Sequence, residues 1–119
     1  MEEKNYRVVV IDDDKLFLKV IESYLSSISW TELVGAYSNP IDGARAIERH
    51  NPDLVLIDFS MPYLDGLEVL ETLEKKPTVV MISGDIRNLD IPAIVRKVVN
   101  KETVKSANDL EGILREVVG

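Results

Sequence analysis

The chain has 119 residues, of which 45% are hydrophobic and 29% charged, and this composition predicts one globular domain over residues 1–119. Its 21 acidic and 14 basic side chains give a formal net charge of -7, which disfavours binding to nucleic acid or to anionic membrane surfaces. There is no cysteine, so disulfides, thiolate metal sites and cysteine nucleophiles are excluded. Because no apolar run could span a bilayer and the N-terminus lacks an apolar signal region, we expect a cytoplasmic location.

Short apolar runs alternate with longer amphipathic runs along the whole chain. In chain order, this pattern predicts strand 6–11, helix 14–28, strand 32–37, helix 40–50, strand 53–57, helix 65–76, strand 78–82, a weak helix 88–95, strand 97–100 and helix 107–118. The weak helix is limited to a turn or two by Pro92. Asp14 is the expected N-cap of the first helix and Pro40 the expected first residue of the second.

Helical spacing also predicts which face of each N-terminal helix is buried. For the first helix the predicted apolar stripe is Leu16, Val20, Tyr24 and Ile28. For the second helix it is Ile41, Ala44 and Ile47.

Nearly continuous apolar strands that alternate with helices are typical of a parallel sheet covered on both faces. Five such strands fit an α/β, doubly wound fold with strand order 2-1-3-4-5 and a shortened fourth helix. In that order, ligands bind at the carboxyl ends of strands 1 and 3.

Acidic residues follow the two strands that this topology places side by side. Asp12 and Asp13 follow the first strand, and Asp58 follows the third. Carboxylates so close raise one another's pKa values unless a cation is bound. With no histidine or cysteine ligand nearby, the expected cation is Mg²⁺.

A hydroxyl and an ammonium group are expected beside these carboxylates, because Ser83 ends the fourth strand and Lys101 follows the fifth. Together these groups suit phosphoryl transfer, with Asp58 as nucleophile and Mg²⁺ held by Asp12 and Asp13. Ser83 and Lys101 would hold the oxygens of the resulting acyl phosphate.

The sequence resembles the receiver (CheY-like) domain of two-component response regulators over nearly its whole length. The segments that carry the resemblance are "VVVIDDD", "PDLVLIDFSMPYLDG", "VVMISG" and "VVNKE". The resemblance implies a flavodoxin-like fold, phosphorylation of Asp58 by a histidine kinase or phosphotransfer protein, and a partner-binding surface that switches. It also implies that the backbone carbonyl of Ser60 completes the Mg²⁺ site, that Ser83 is the switch hydroxyl and that Lys101 binds the phosphate.

Three features depart from the family pattern. Val98 occupies the position where receivers usually have an aromatic residue that turns inward on activation. Only eighteen positions separate Ser83 from Lys101, fewer than is typical, which suggests an unusual partner surface. Glu102 replaces a proline, so no cis peptide bond is expected after Lys101.

Two other functions compete with this interpretation. A receiver that binds a partner without being phosphorylated is the alternative, motivated by Val98 and the shortened helix. An enzyme that hydrolyses a diffusible phosphate ester is disfavoured, because Ser60 stands where such a hydrolase needs a carboxylic acid two residues after its nucleophile. The downstream protein is unknown, and the sequence fits either a whole small regulator or the receiver part of a longer one.

Overall fold

The structure is a computed structural model that describes residues 5–58, 75–84, 91 and 93–118. Its strands are β1 (Tyr6–Ile11), β2 (Thr31–Tyr37), β3 (Leu54–Ile57), β4 (Thr78–Ser83) and β5 (Val95–Asn100). Its helices are α1 (Lys15–Ser26), α2 (Pro40–His50) and α3 (Ala107–Val118), with a 3₁₀ turn at Lys101–Thr103. None of the helices within these ranges is long and apolar enough to cross a membrane.

The five strands form one parallel sheet in the order β2-β1-β3-β4-β5, which confirms the predicted α/β doubly wound fold. The register aligns the ends of the two central strands, since Ile11 of β1 pairs with Ile57 of β3. Ser83, the last residue of β4, pairs with Asn100, the last residue of β5. The carboxyl ends of four adjacent strands therefore lie along one edge of the sheet.

Two predicted helices fall largely on residues outside the described ranges. Of helix 65–76, only Lys75 and Lys76 are described, and neither is helical. Of the weak helix 88–95, residues 88–90 and 92 are not described, so the shortened fourth helix stays a prediction. Val95 belongs to β5, which begins two residues earlier than predicted because Val95 pairs with Val79 across a β-bulge.

The core has two layers, one on each face of the sheet, because successive side chains of a strand point to opposite faces. Val8 and Val10 of β1 pack in the layer that α1 and α3 cover. Val9 and Ile11 pack in the layer that contains Ile47 of α2. Burying each such side chain stabilises the fold by about 1.5–3 kcal/mol.

The predicted apolar stripe of α1 was only partly correct, since Ile28 is buried and Tyr24 packs against the core, but Leu16 does not. Leu16 is 74% exposed, whereas the buried residues of the helix are Leu18, Ile21 and Leu25. At 3.6 residues per turn, residues spaced four apart drift by about 40° per step, so the predicted four-residue stripe spans about 120° of the helix surface. The observed set keeps within about 60° of the helix surface.

In α2, Ile47 is buried as predicted, but the rest of the buried face is rotated from the predicted one. Ile41 is 55% exposed, and the buried residues are Gly43, Ala46 and Ile47. Ile41 lies in the first turn, where its amide is held by the Asn39 side chain at 2.8 Å. The helix begins at Pro40, as predicted.

The N-cap of α1 is Asp14, as predicted from the sequence. Its Oδ1 accepts hydrogen bonds from the amides of Leu16 at 3.1 Å and Phe17 at 3.2 Å. These bonds satisfy amide groups that have no partner within the helix. The cap thereby leaves only three residues between Ile11 and Lys15 and keeps Asp12 and Asp13 in this short connection.

Candidate functional site

Two buried carboxylates follow the central strands. Asp12 and Asp58 are each only 2% exposed. The backbone amide of Asp12 donates to the carbonyl of Tyr37, and that of Asp58 donates to the carbonyl of Ile11, both at 3.0 Å. Sheet hydrogen bonding thus continues one residue beyond each strand and fixes the backbone from which both side chains project.

Asp13 is exposed and joins the two buried carboxylates in one acidic cluster. One carboxylate oxygen from each of Asp12, Asp13 and Asp58 lies within 4.8 Å of the others. Oxygen ligands on opposite sides of an octahedral Mg²⁺ are about 4 Å apart, so this spacing suits a shared divalent ion. The three carboxylates are hard donors and fit Mg²⁺ better than softer metals.

Lys101 spans the two buried carboxylates. Its Nζ lies 2.9 Å from Asp12 Oδ2 and 3.1 Å from Asp58 Oδ2. The side chain is 18% exposed, so the ammonium is largely withdrawn from water. Lys101 is therefore an internal counter-ion for the acidic pair.

The backbone around Lys101 is held by a capped 3₁₀ turn. Asn100 Oδ1 accepts from the amide of Glu102 at 2.9 Å, and Thr103 Oγ1 donates to the carbonyl of Asn100 at 2.7 Å. The described residues contain no cis peptide bond, in agreement with the expectation for Glu102. Asn100 and Thr103 thus fix the backbone from which the lysine reaches the site.

Burial dominates the electrostatics of Asp12. It raises the pKa of this carboxyl from 3.8 to about 6, and the nearby charge of Asp58 acts in the same direction. Hydrogen bonds from Lys101 and from the amide of Asp14 lower the pKa and offset part of this increase. For Lys101, burial lowers the pKa, but its hydrogen bonds to Asp12 and Asp58 outweigh burial and leave the pKa raised. At neutral pH the lysine is therefore charged.

The other predicted site residues have different positions. Ser83 is fully buried at the end of β4, the strand next to β3. Val98, at the position of the expected aromatic residue, is partly buried in β5 and pairs with Met81. Ser60 lies outside the described residues, so its carbonyl stays a predicted ligand.

Phe17 is a site residue that the sequence reasoning missed. Lys101 Nζ lies 4.6 Å from the centroid of its ring, within cation–π distance. Phe17 also lines a small pocket together with Asp12 and Asp58. The available signal was an aromatic residue three positions after a helix N-cap, which places it in the first turn at the ligand-binding edge.

The arrangement combines a candidate nucleophile, a candidate cation site and a positive charge. Asp58 offers a carboxylate at the sheet edge, Asp12 and Asp13 complete an oxygen-rich cluster, and Lys101 supplies an ammonium. Groups of these kinds are the ones that stabilise a phosphoryl group during transfer.

The sequence matches the response regulator receiver domain family over residues 8–111. The chain therefore belongs to the receiver domains of response regulators.

Individual relatives agree with this assignment. The chain is 33% identical over 126 residues to protein-glutamate methylesterase/protein-glutamine glutaminase 2 of Xanthomonas oryzae pv. oryzae, a match that covers 98% of this chain and 35% of that protein. It thus spans about a third of the length of that curated relative.

Solved structures show the same fold. The signal receiver domain of NarL from Mycobacterium tuberculosis matches with a TM-score of 0.77 and 26% identity over 98% of both chains. A chain of the complex between the P1 domain of CheA3 and CheY6 from R. sphaeroides matches with a TM-score of 0.79 and 25% identity, covering 97% of this chain and 98% of that one.

Proposed function

We propose that this receiver domain is a phosphorylation switch in which Asp58 accepts a phosphoryl group from a histidine kinase or phosphotransfer protein in a Mg²⁺-dependent reaction. The observation that carries the proposal is the convergence of Asp12, Asp13, Asp58 and Lys101 at one sheet edge. Membership in the receiver family supports it. The choice of donor is supported by the similar chain in the complex of CheY6 with the P1 domain of CheA3.

In the proposed reaction, a carboxylate oxygen of Asp58 attacks the phosphorus of a phosphohistidine. An O–P bond forms as the N–P bond breaks, and the electron pair of that bond stays on the imidazole nitrogen. When bound by the acidic cluster, Mg²⁺ would supply positive charge that neutralises the phosphoryl oxygens. Lys101, already in contact with Asp58, donates a hydrogen bond to another phosphoryl oxygen.

Ser83 and water complete the cycle. The buried Ser83 hydroxyl donates a hydrogen bond to the phosphoryl group, and the movement that this requires biases the partner-binding surface. Water then attacks the phosphorus, the O–P bond breaks, and inorganic phosphate leaves while the Asp58 carboxylate is restored. We propose no reaction on any other substrate.

The test is incubation of the purified chain with acetyl phosphate and Mg²⁺, followed by peptide mass spectrometry. We expect one added phosphoryl group on Asp58, none after chelation of Mg²⁺, and none in Asp58→Asn. Asp42→Asn, which changes an exposed carboxylate in α2, is the matched control and should react like wild type. Failure to modify Asp58 in the presence of Mg²⁺ would refute the proposal.

The alternative, a receiver that binds its partner without being phosphorylated, is less well supported. It leaves the burial of Asp58 beside Lys101 without a chemical purpose, although Val98 in place of an aromatic residue is compatible with it. Equal partner affinity of wild type and Asp58→Ala, with and without phosphodonor, would favour this alternative.

We further propose that residues 1–119 form a single receiver unit in the cytoplasm whose effect passes through another protein or another part of a longer chain. The family match over residues 8–111 supports the first point. Limited proteolysis that leaves this range intact is the expected result.

A further inference from the structure

We propose that Phe17 is a positioning residue for Lys101 and that the face of its ring keeps the lysine ammonium against the Asp12–Asp58 pair. The part of this inference that concerns reaction rate rests on the proposed function. The part that concerns the location of the ammonium does not depend on it.

Within the part of the chain that the structure describes, three groups contact the Lys101 ammonium. Two are the carboxylates of Asp12 and Asp58, at 2.9 and 3.1 Å, and the third is the Phe17 ring, with its centroid at 4.6 Å. An ammonium has three N–H donors and no acceptor, so an aromatic face with its negative potential is a suitable third neighbour. The low exposure of the lysine, 18%, strengthens such an attraction because water competes less.

Phe17 is itself fixed relative to the acidic site. Its amide donates to Asp14 Oδ1 at 3.2 Å, and the amide of Asp14 donates to Asp12 Oδ1 at 2.8 Å. The ring also packs against the core layer that contains Ile21 and Leu18. The helix cap thus connects the position of the ring to the position of a proposed metal ligand.

The ring matters because a lysine side chain is flexible and strongly hydrated. Without the ring, water would reach the ammonium from that side, and the side chain would have more rotamers that miss the carboxylates. A ligand that enters between Asp12 and Asp58 must displace the ammonium from at least one carboxylate. The ring then offers the ammonium a contact that does not depend on either carboxylate and keeps it at the site.

The location of the ammonium is tested by NMR on metal-free protein with isotope-labelled lysine. The ring current of Phe17 should shift the ε-methylene protons of Lys101 upfield in wild type. The shift should persist in Phe17→Tyr and disappear in Phe17→Leu. Tyr24→Leu is the matched control, because Tyr24 is another partly buried aromatic of α1 that packs on the same core layer. An unchanged Lys101 resonance in Phe17→Leu would refute the contact.

The effect on the reaction is tested by the rate of Asp58 phosphorylation with acetyl phosphate and Mg²⁺. Phe17→Leu should react about two- to tenfold more slowly, as expected for loss of a cation–π contact, and Phe17→Tyr should restore the rate. In a Lys101→Met background, Phe17→Leu should have no further effect. A similar loss in Tyr24→Leu, or an equal loss with and without Lys101, would show a packing role instead and overturn the proposal.

The two measurements separate this inference from the proposed function. If the ring-current shift is present but wild type is never phosphorylated, the proposed function fails and the contact stands. If wild type is phosphorylated but Phe17→Leu changes neither the shift nor the rate, the positioning role is refuted alone.

Discussion

Among the described residues, Asp12 is the carboxylate whose environment conflicts most with its charge. It is almost inaccessible to water, and burial raises its pKa from 3.8 to about 6. The folded protein therefore binds the Asp12 proton more tightly than the unfolded chain does. This contribution to stability is fully present below about pH 4 and is lost as the pH rises through about 6.

Because burial raises the pKa of Asp12, we expect the effect of Asp12→Asn on stability to depend on pH in the absence of divalent ions. The free energy of unfolding of the variant, relative to wild type, should rise by about 1–3 kcal/mol between pH 4 and pH 7, because the variant has no buried carboxylate to ionise. Urea unfolding at several pH values in a chelator measures the difference. The exposed control Asp42→Asn should show no such trend. A difference for Asp12→Asn that does not vary with pH would contradict the electrostatic account.

Lys101 occupies the position from which it would oppose a bound cation. Its ammonium contacts two of the three carboxylates proposed to hold Mg²⁺, so metal binding brings like charges together. We expect Lys101→Met to bind Mg²⁺ about tenfold more tightly than wild type, given the strength of charge interactions at this range, and to be phosphorylated more slowly. Calorimetric titration measures the affinity. Weaker Mg²⁺ binding by Lys101→Met would show that the lysine supports the cation site.

At the scale of elements, the strands and caps could be predicted from sequence, but the buried helix faces only in part, through Ile28 and Ile47. Branched apolar runs define β1 to β5 to within two residues, and Asp14 and Pro40 mark the starts of α1 and α2. In α1, a four-residue apolar repeat that begins at Leu16 is as regular as the buried set that begins at Leu18. Only the position of the sheet determines which of the two sets is buried. The helix pattern is therefore ambiguous where apolar residues are abundant.

The same limit applies to the site. Asp12, Asp58, Ser83 and Lys101 could be placed at one edge because the strand order aligns strand ends that are far apart in sequence. The contact of Lys101 with Phe17 could not be predicted, since it depends on the rotation of α1 and on the 3₁₀ turn after β5. Neither feature has a periodic sequence pattern.

Alanine substitution should have opposite effects on stability at two helix glycines, because their surroundings differ. A Cβ on Gly43 of α2 would clash with Cδ1 of Ile11 and lie 2.6 Å from its Cγ1, whereas a Cβ on Gly112 of α3 would meet no atom within 4 Å. Gly112→Ala should stabilise the protein by about 1 kcal/mol through helix propensity. Gly43→Ala should be destabilising by about 1 kcal/mol, because overpacking the buried Ile11 outweighs the same gain. Urea unfolding compares them, and equal stabilisation by both would contradict the close approach of α2 to β1.

At the scale of the whole molecule, the proposed cation site joins segments that are far apart in the chain. Asp12 and Asp58 follow different strands and meet only in the folded sheet. A ligand that binds the folded state alone stabilises it by mass action, by about 2.7 kcal/mol at a hundred times its Kd. Mg²⁺ should therefore raise the Tm of wild type and of the Asp42→Asn control. Asp12→Asn and Asp58→Asn should lose most of this increase, and an equal increase in all four proteins would point to binding elsewhere.

The most direct measurement of the central claim is a crystal structure with Mg²⁺ and beryllofluoride, a mimic of the phosphoryl group. We expect beryllium bonded to an Asp58 oxygen, Mg²⁺ held by Asp12, Asp13 and Asp58, and Lys101 Nζ in contact with a fluorine. A structure in which Lys101 still bridges Asp12 and Asp58 while the metal and the mimic bind elsewhere would contradict the account.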